Sequence, residues 1–188
     1  MEKTYIVVTD GLAKDKCGST LPEPSFVYRQ VLDYLLKILH EASVVYLAPA
    51  NQFNGELYEQ EAAYNYLKGL TQCRNIYFPV YNGYGYIDTF GNGYLLKKYL
   101  IKINKWPLHA VDLVCAKIHS YRAEYCFRKL GYKIKQVHRV EYRTNLNEDI
   151  VERLWYYRFK SIHLFYEICA MTREIIRNAM EYIWPRIW

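Results

Sequence analysis

Five short apolar runs, each bounded by stretches of helical periodicity, constrain this chain more than any other feature. They are TYIVVTD (4–10), SVVYLAPA (43–50), NIYFPV (75–80), AVDLVCAK (110–117) and YKIKQVHRV (132–140). Their hydrophobicity is nearly continuous rather than alternating, as strands buried on both faces require. Strands alternating with helices form right-handed βαβ units. The expected fold is therefore α/β, a three-layer Rossmann-like sandwich around a mainly parallel sheet of about five strands. At 188 residues the chain suits one such domain with a sizeable core, and no linker or internal repeat divides it.

The intervening segments carry helix signals. Residues 25–41 set Phe26, Val31, Leu35, Ile38 and Leu39 on one stripe behind a Pro24-Ser25 start. A second helix covers 56–68 and stops at Gly69. Asp88 or Thr89 caps a third, whose Leu95, Leu96, Tyr99 and Leu100 face inward. Ser120 caps a fourth that ends at Leu130-Gly131, a C-terminal glycine signal. From Asn147 to Ile183 there is no Gly or Pro, and apolar residues recur at helical spacing. This predicts a long C-terminal helical segment, about 147–183, that packs on the domain or forms a homo-oligomer interface.

Composition removes several classes. The five cysteines are scattered, with no CxxC pair, so neither a zinc site nor a disulfide framework is indicated and no metal ligands are assigned. Met1 runs directly into the first strand and no apolar stretch reaches membrane-spanning length, so the expected location is cytoplasmic. The net charge of +6 is local: residues 97–143 hold 12 Lys/Arg against 3 Asp/Glu. Such a field favours an anionic small-molecule ligand, or is simply a solvated basic face. Without a recognised nucleic-acid motif, a nucleic-acid partner is not expected. The 21 tyrosines suit half-buried layers and ligand-facing loops, and carry no functional assignment.

In an open α/β sheet, ligands bind beyond the carboxyl ends of the strands. Four such ends carry polar or glycine-rich residues: Thr9-Asp10-Gly11, Ala48-Pro49-Ala50-Asn51, the loop VYNGYGYIDTFGNGY (80–94), and Lys117 to Arg122. The last joins a strand to a helix N-terminus, whose free N–H groups attract anions. Lys117, Ser120 and Arg122 add donors for a phosphate, sulfate or carboxylate, and His119 adds a group suited to acid–base chemistry. The competing structural reading pairs Arg122 with a core carboxylate and leaves His119 as a helix cap. Asp10 and Asp88 are placed to bind hydroxyl or amine groups, or Mg²⁺ through one or two contacts. Glu61 stands one turn into the second helix and is an exposed carboxylate by spacing. Neither GxGxxG nor GxxxxGK[ST] is present, so the glycine-rich loop is no dinucleotide fingerprint.

The collinear short motifs resemble the YdcF/SanA/ElyC-like family over about residues 3–180. An early strand and glycine turn, TDGL, precedes a helix bearing Arg29; Glu61-Ala62 resemble the family's "sEA" helix start. Asp88-Thr89-Phe90-Gly91-Asn92 resemble "nTxeN", and His119-Ser120-Tyr121-Arg122-Ala123, followed by Leu130-Gly131, resemble "HxxRA". Arg173-Glu174 match the terminal helix's Arg-Glu pair. The chain departs from the family at TDGL, at APAN and at Gly91, all on presumed ligand-facing loops. The resemblance implies a Rossmann-like cleft built from these motifs, with S-adenosylmethionine as a conceivable cofactor and no fixed reaction.

The resulting expectation is an enzyme that transfers or hydrolyses a group on a nucleotide-like or phosphorylated small molecule. His119, Asp10 and Glu61 are its catalytic candidates. Gly11, Arg29, Asn51, Asp88, Thr89, Asn92, Lys117, Ser120 and Arg122 are its ligand-binding candidates. The alternative is a module that senses a nucleotide or S-adenosylmethionine without turnover. A membrane-peripheral role for the aromatic C-terminus is disfavoured, because residues 144–188 balance 6 Lys/Arg with 6 Asp/Glu.

Overall fold

A computed structural model describes residues 3–53, 56–81, 86–144, 151–152 and 155–183. The elements in chain order begin with β1 (Thr4–Val7), β2 (Leu12–Lys14), β3 (Thr20–Pro24), α1 (Phe26–Ile38) and β4 (Val44–Leu47). They continue with β5 (Gln52–Phe53), β6 (Leu57–Tyr58), α2 (Glu59–Lys68), β7 (Asn75–Tyr77), α3 (Thr89–Lys102) and β8 (Val111–Ala116). Last come α4 (Lys117–Lys129), β9 (Ile134–Val140), β10 (Val151–Glu152), a 3-10 turn at Trp155–Arg158, and α5 (Lys160–Ile183).

The five apolar runs become one all-parallel sheet in the order β7-β4-β1-β8-β9. Counted along the chain this is third, second, first, fourth, fifth. The chain builds outward from β1 to one edge, then crosses to the other side and builds outward again. The order reverses between β1 and β8, which pair Tyr5 with Asp112 and Val7 with Val114. At that point the connections leave in opposite directions and open a crevice above the strand ends.

Alternation along β1 shows why each run is apolar throughout. Tyr5 and Val7 join the layer of α1 and α2 with Val31, Leu35 and Leu67, while Ile6 and Val8 join the layer of α3 and α4 with Leu96, Leu100 and Phe127. Both faces are covered, giving the three-layer, Rossmann-like sandwich.

Local signals place most ends. The Ser25 hydroxyl accepts the Tyr28 N–H (3.1 Å) at the start of α1, and the Asp88 carboxylate accepts the Gly91 N–H (2.8 Å) at the start of α3. Gly131 follows α4 with a φ of +91°, a conformation that favours glycine. Part of the glycine-rich 80–94 segment is helix rather than loop. Gly93 lies in α3, where a Cβ would come within 2.7 Å of Leu130 Cδ1 and 3.4 Å of the Phe127 ring. Glycine there lets α3 lie close against α4. Residues 82–85 of that segment fall outside the described residues.

Two features differ from expectation. A three-stranded sheet, β10-β2-β3, adds to the domain beside α1, with antiparallel pairs and a turn in which Ser19 N–H bonds the Asp15 carboxylate (2.8 Å). The C-terminal helix starts at Lys160 rather than near 147, after a strand and a 3-10 turn; 145–150 and 153–154 lie outside the described residues. Helix α5 packs on α4 and turns His163, Glu167, Ala170 and Glu174 inward. Among the described residues no helix is long and apolar enough to cross a membrane.

Candidate functional site

The crevice at the chain reversal is a cleft of about 220 Å³. Behind its lining, between Thr9 and Gly11, lies Asp10, three residues past β1 and almost fully buried. One carboxylate oxygen accepts the Tyr157 hydroxyl (2.5 Å) and faces His119 Nδ1 (2.8 Å); the other accepts the Ala116 N–H (3.3 Å). Asp10 thus places a carboxylate from β1 at the N-terminus of α4, where the helix dipole favours it.

His119 is the third residue of α4, and Arg122 lies one turn further on the same side. Across the cleft stands Thr89, the first residue of α3. His119 Nε2 lies 3.0 Å from Thr89 Oγ1, and Arg122 Nη1 donates to that same oxygen (2.5 Å). A guanidinium only donates and a carboxylate only accepts. Thr89 Oγ1 therefore accepts from Arg122 and His119 Nδ1–H donates to Asp10, so that a neutral His119 presents an unprotonated Nε2 to the Thr89 hydroxyl. The result is an oriented relay, Thr89 to His119 to Asp10, the geometry of a nucleophile, a base and the group that orients the base.

Arg122 is fixed from behind by a bidentate pair with Glu167 of α5 (2.6 and 2.8 Å). Burial opposes ionisation of Glu167. His119, Arg122 and His163 outweigh it and hold the carboxyl well below its usual range. Burial likewise works against Arg122, and Glu167 keeps it charged. His163, 3.6 Å from Glu167, is braced in turn by the Tyr142 hydroxyl.

The opposite wall is acidic. Glu59, the first residue of α2, accepts the Gly11 N–H (3.2 Å) and faces Asn51 Nδ2 (3.5 Å). Burial pushes its carboxyl up to about 7, with the nearby Asp10 adding to the shift against bonds from Thr9, Asn51 and Gly11. Asn51 also accepts the Ile87 N–H (2.7 Å) and donates to the Ile87 carbonyl (3.2 Å), tying the 86–88 segment to the end of β4. Asn92 donates to Thr9 Oγ1 (3.3 Å). Burial disfavours the charged form of Asp88, yet Gly91 N–H, Arg177 and Arg173 hold its carboxyl below the usual range. Phe53, Tyr86 and Tyr156 supply aromatic walls. Among the described residues no cluster of three His, Cys, Asp or Glu side chains is arranged to hold a metal ion.

The structure brings Gly11, Asn51, Asp88, Thr89, Asn92, His119 and Arg122 together on the cleft, with Asp10 directly behind His119. The chain matches no protein-family model, no curated protein and no solved structure. The chemistry of the cleft rests on its own residues.

Four candidates lie elsewhere. Arg29 pairs with Glu23 on the surface of α1, and Lys117 pairs with Glu141. Ser120 is no cap: α4 begins three residues earlier, and the buried Ser120 hydroxyl folds back onto the Lys117 carbonyl (2.6 Å). Glu61 does not line the cleft, because α2 begins at Glu59 and two residues turn a helix by about 200°. Glu59 is the carboxylate that faces inward. Glu59, Tyr157 and Glu167 carry no motif of their own. A helix start placed at Glu59 would have singled out the first of them, whereas the other two become legible only once α5 is docked on α4.

Proposed function

We propose that this chain is an enzyme that hydrolyses or transfers a group on a small, hydroxyl-bearing, nucleoside-like molecule bound at the strand C-termini. The observation that carries this reading is the Thr89–His119–Asp10 relay, which opens on a cleft at the chain reversal. As Thr89 Oγ1 attacks an acyl or comparable electrophilic centre, its proton passes to His119 Nε2, and Asp10 stabilises the imidazolium. Arg122 and the N-terminus of α3 face the negative charge that develops. His119 then returns the proton to the leaving group. Water, or a second acceptor molecule, releases the group from Thr89 in the reverse sequence.

Polarity supports a hydroxyl-bearing rather than a phosphate-bearing ligand. Of the cations expected to hold an anion, Lys117 pairs with Glu141 and Arg29 with Glu23 away from the cleft, and Arg122, which does line it, has its charge balanced by Glu167. Glu59, Asp88 and Asn51 accept from hydroxyl or amine groups, and the rings of Phe53, Tyr86 and Tyr156 suit a flat base. S-adenosylmethionine, with its ribose diol and cationic sulfonium, fits the same polarity. The order of the TDGL, Asp88–Asn92 and His119–Ala123 motifs around one cleft supports a YdcF-like relationship.

The test combines a thermal-shift screen of nucleosides, sugars, S-adenosylmethionine and their phosphates with turnover assays on ester- and glycosyl-linked versions of whatever binds. A ligand at 100 times its dissociation constant stabilises the fold by about 2.7 kcal/mol. Turnover that falls by at least about 100-fold in Thr89→Ala and His119→Ala, with binding retained, supports the enzyme. Full turnover in Thr89→Ala sinks the relay. Binding without turnover of any linked substrate gives the sensing module instead.

A further inference from the structure

Helix α5 is inverted for a surface helix. Its inward stripe is polar, with His163, Glu167 and Glu174 buried against the domain. Its outward stripe is apolar: Leu164 (50% exposed), Phe165 (68%), Ile168 (56%), Ile175 (48%) and Ile176 (53%). An ordinary amphipathic helix does the reverse. At 100° per residue, these five side chains and Thr172 fall within about 120° of the helix surface. The polar stripe is committed to the cleft, since Glu167 forks Arg122 and Arg177 pairs with Asp88 (2.9 Å). The helix cannot rotate its apolar side inward without breaking those pairs. The apolar stripe therefore stays at the surface, and a stripe of this size calls for a partner.

We infer that a second copy of this chain covers the outward face of α5, with the two helices antiparallel about a twofold axis near residue 170. The spacing of the stripe decides the occupant. A twofold interface must be self-complementary, residue i meeting j and j meeting i. About residue 170, antiparallel pairing sets Leu164 opposite Ile176 of the other copy, Phe165 opposite Ile175, and Ile168 opposite Thr172. Every large apolar residue of the stripe meets an apolar or small one, and Thr172 at the centre allows close approach. The period of these positions, 165, 168, 172 and 175, is the 3-4 spacing of a two-helix seam. Five half-exposed side chains from each copy remove on the order of 1,000 Å² from water, the size at which specific interfaces begin. The neighbouring cations do not enter the seam: Lys160 lies near Glu141, and Arg173 and Arg177 reach Asp88 and Glu174.

The register supplies the experiment. Sedimentation equilibrium and light scattering are run on the full chain up to about 100 µM, with Phe165→Glu, Ile175→Lys and the double variant alongside. Positions 165 and 175 stand ten residues apart on one helix, about 15 Å, so the introduced charges meet only across the twofold axis. The expected result is a dimer for the native chain, a dissociation constant raised at least about tenfold in each single variant, and recovery to within about threefold in the double variant. Circular dichroism on all four proteins checks that these surface changes leave the fold intact. A native chain that stays monomeric overturns the inference. So does a double variant as monomeric as the singles, or a monomer that floats with phosphatidylcholine–phosphatidylserine vesicles and loses that binding in Phe165→Glu.

Discussion

The Thr89 hydroxyl is held between Arg122, which donates a hydrogen bond to it, and His119 Nε2, 3.0 Å away. Removing it leaves both buried partners short of a hydrogen bond, at about 1–3 kcal/mol. Thr89→Ala should therefore lower the denaturation midpoint as well as activity, while Thr89→Ser keeps both within a few-fold. Behind it, Glu167→Ala strands the Arg122 charge in the interior and should cost about 3–5 kcal/mol in urea unfolding. Replacing both partners, Arg122→Met with Glu167→Leu, should cost less. Glu59 gives a pH test. Its folded value of about 7 lies above the ordinary 4.5, so the native chain retains a proton that the unfolded chain releases between them. Stability from this group is full below about pH 4.5 and is lost as pH rises through 7, by roughly 3 kcal/mol in total. Glu59→Gln removes the titration. Its stability relative to the native chain should rise between pH 5 and 8, a trend that urea melts across that range will measure.

Some helix ends follow local rules, while others take their partners from distant parts of the chain. Ser25 and Asp88 cap α1 and α3 through their own side chains, as serine and aspartate do anywhere. Helix α4 has Ala116 at its N-cap position and no side-chain cap from its own segment, and Asp10, just past β1, supplies the carboxylate there. A search for a local cap therefore moves on to Ser120, three residues too late. At the other end, Gly131 has φ +91°, and an added Cβ would have ordinary contact with Trp106 at 3.7 Å. Gly131→Ala should thus register backbone strain alone, about 1–2 kcal/mol by thermal or chemical unfolding.

Across the whole molecule, the basic excess of residues 97–143 is spread over α3, α4 and β9 rather than gathered at the cleft. Lys117 meets Glu141, Arg139 and Arg128 share Glu124, and Lys97 donates to the Leu130 carbonyl (2.8 Å). A segment count of charge describes the chain in one dimension, whereas a binding field depends on which face each side chain reaches. If two copies pair through α5, unfolding is coupled to dissociation, and the melting temperature should rise with protein concentration. In Phe165→Glu, calorimetry from low to high micromolar concentration should find that dependence gone.

The five buried strands, their alternation with helices, the caps at Ser25 and Asp88, and the segments whose ends meet at the cleft are all written in the local pattern of residues. Strand burial and capping depend on neighbours a few residues away, so periodicity carries them. Packing between distant segments sets Glu59 rather than Glu61 against Gly11, pairs Arg122 with Glu167, brings Tyr157 onto Asp10, and turns the charges of α5 inward. Each depends on a helix rotation or a pairing between residues up to 147 apart, as with Tyr157 and Asp10. A shift of two residues in one helix start, invisible to a periodic pattern, sends a carboxylate to the other side of the helix.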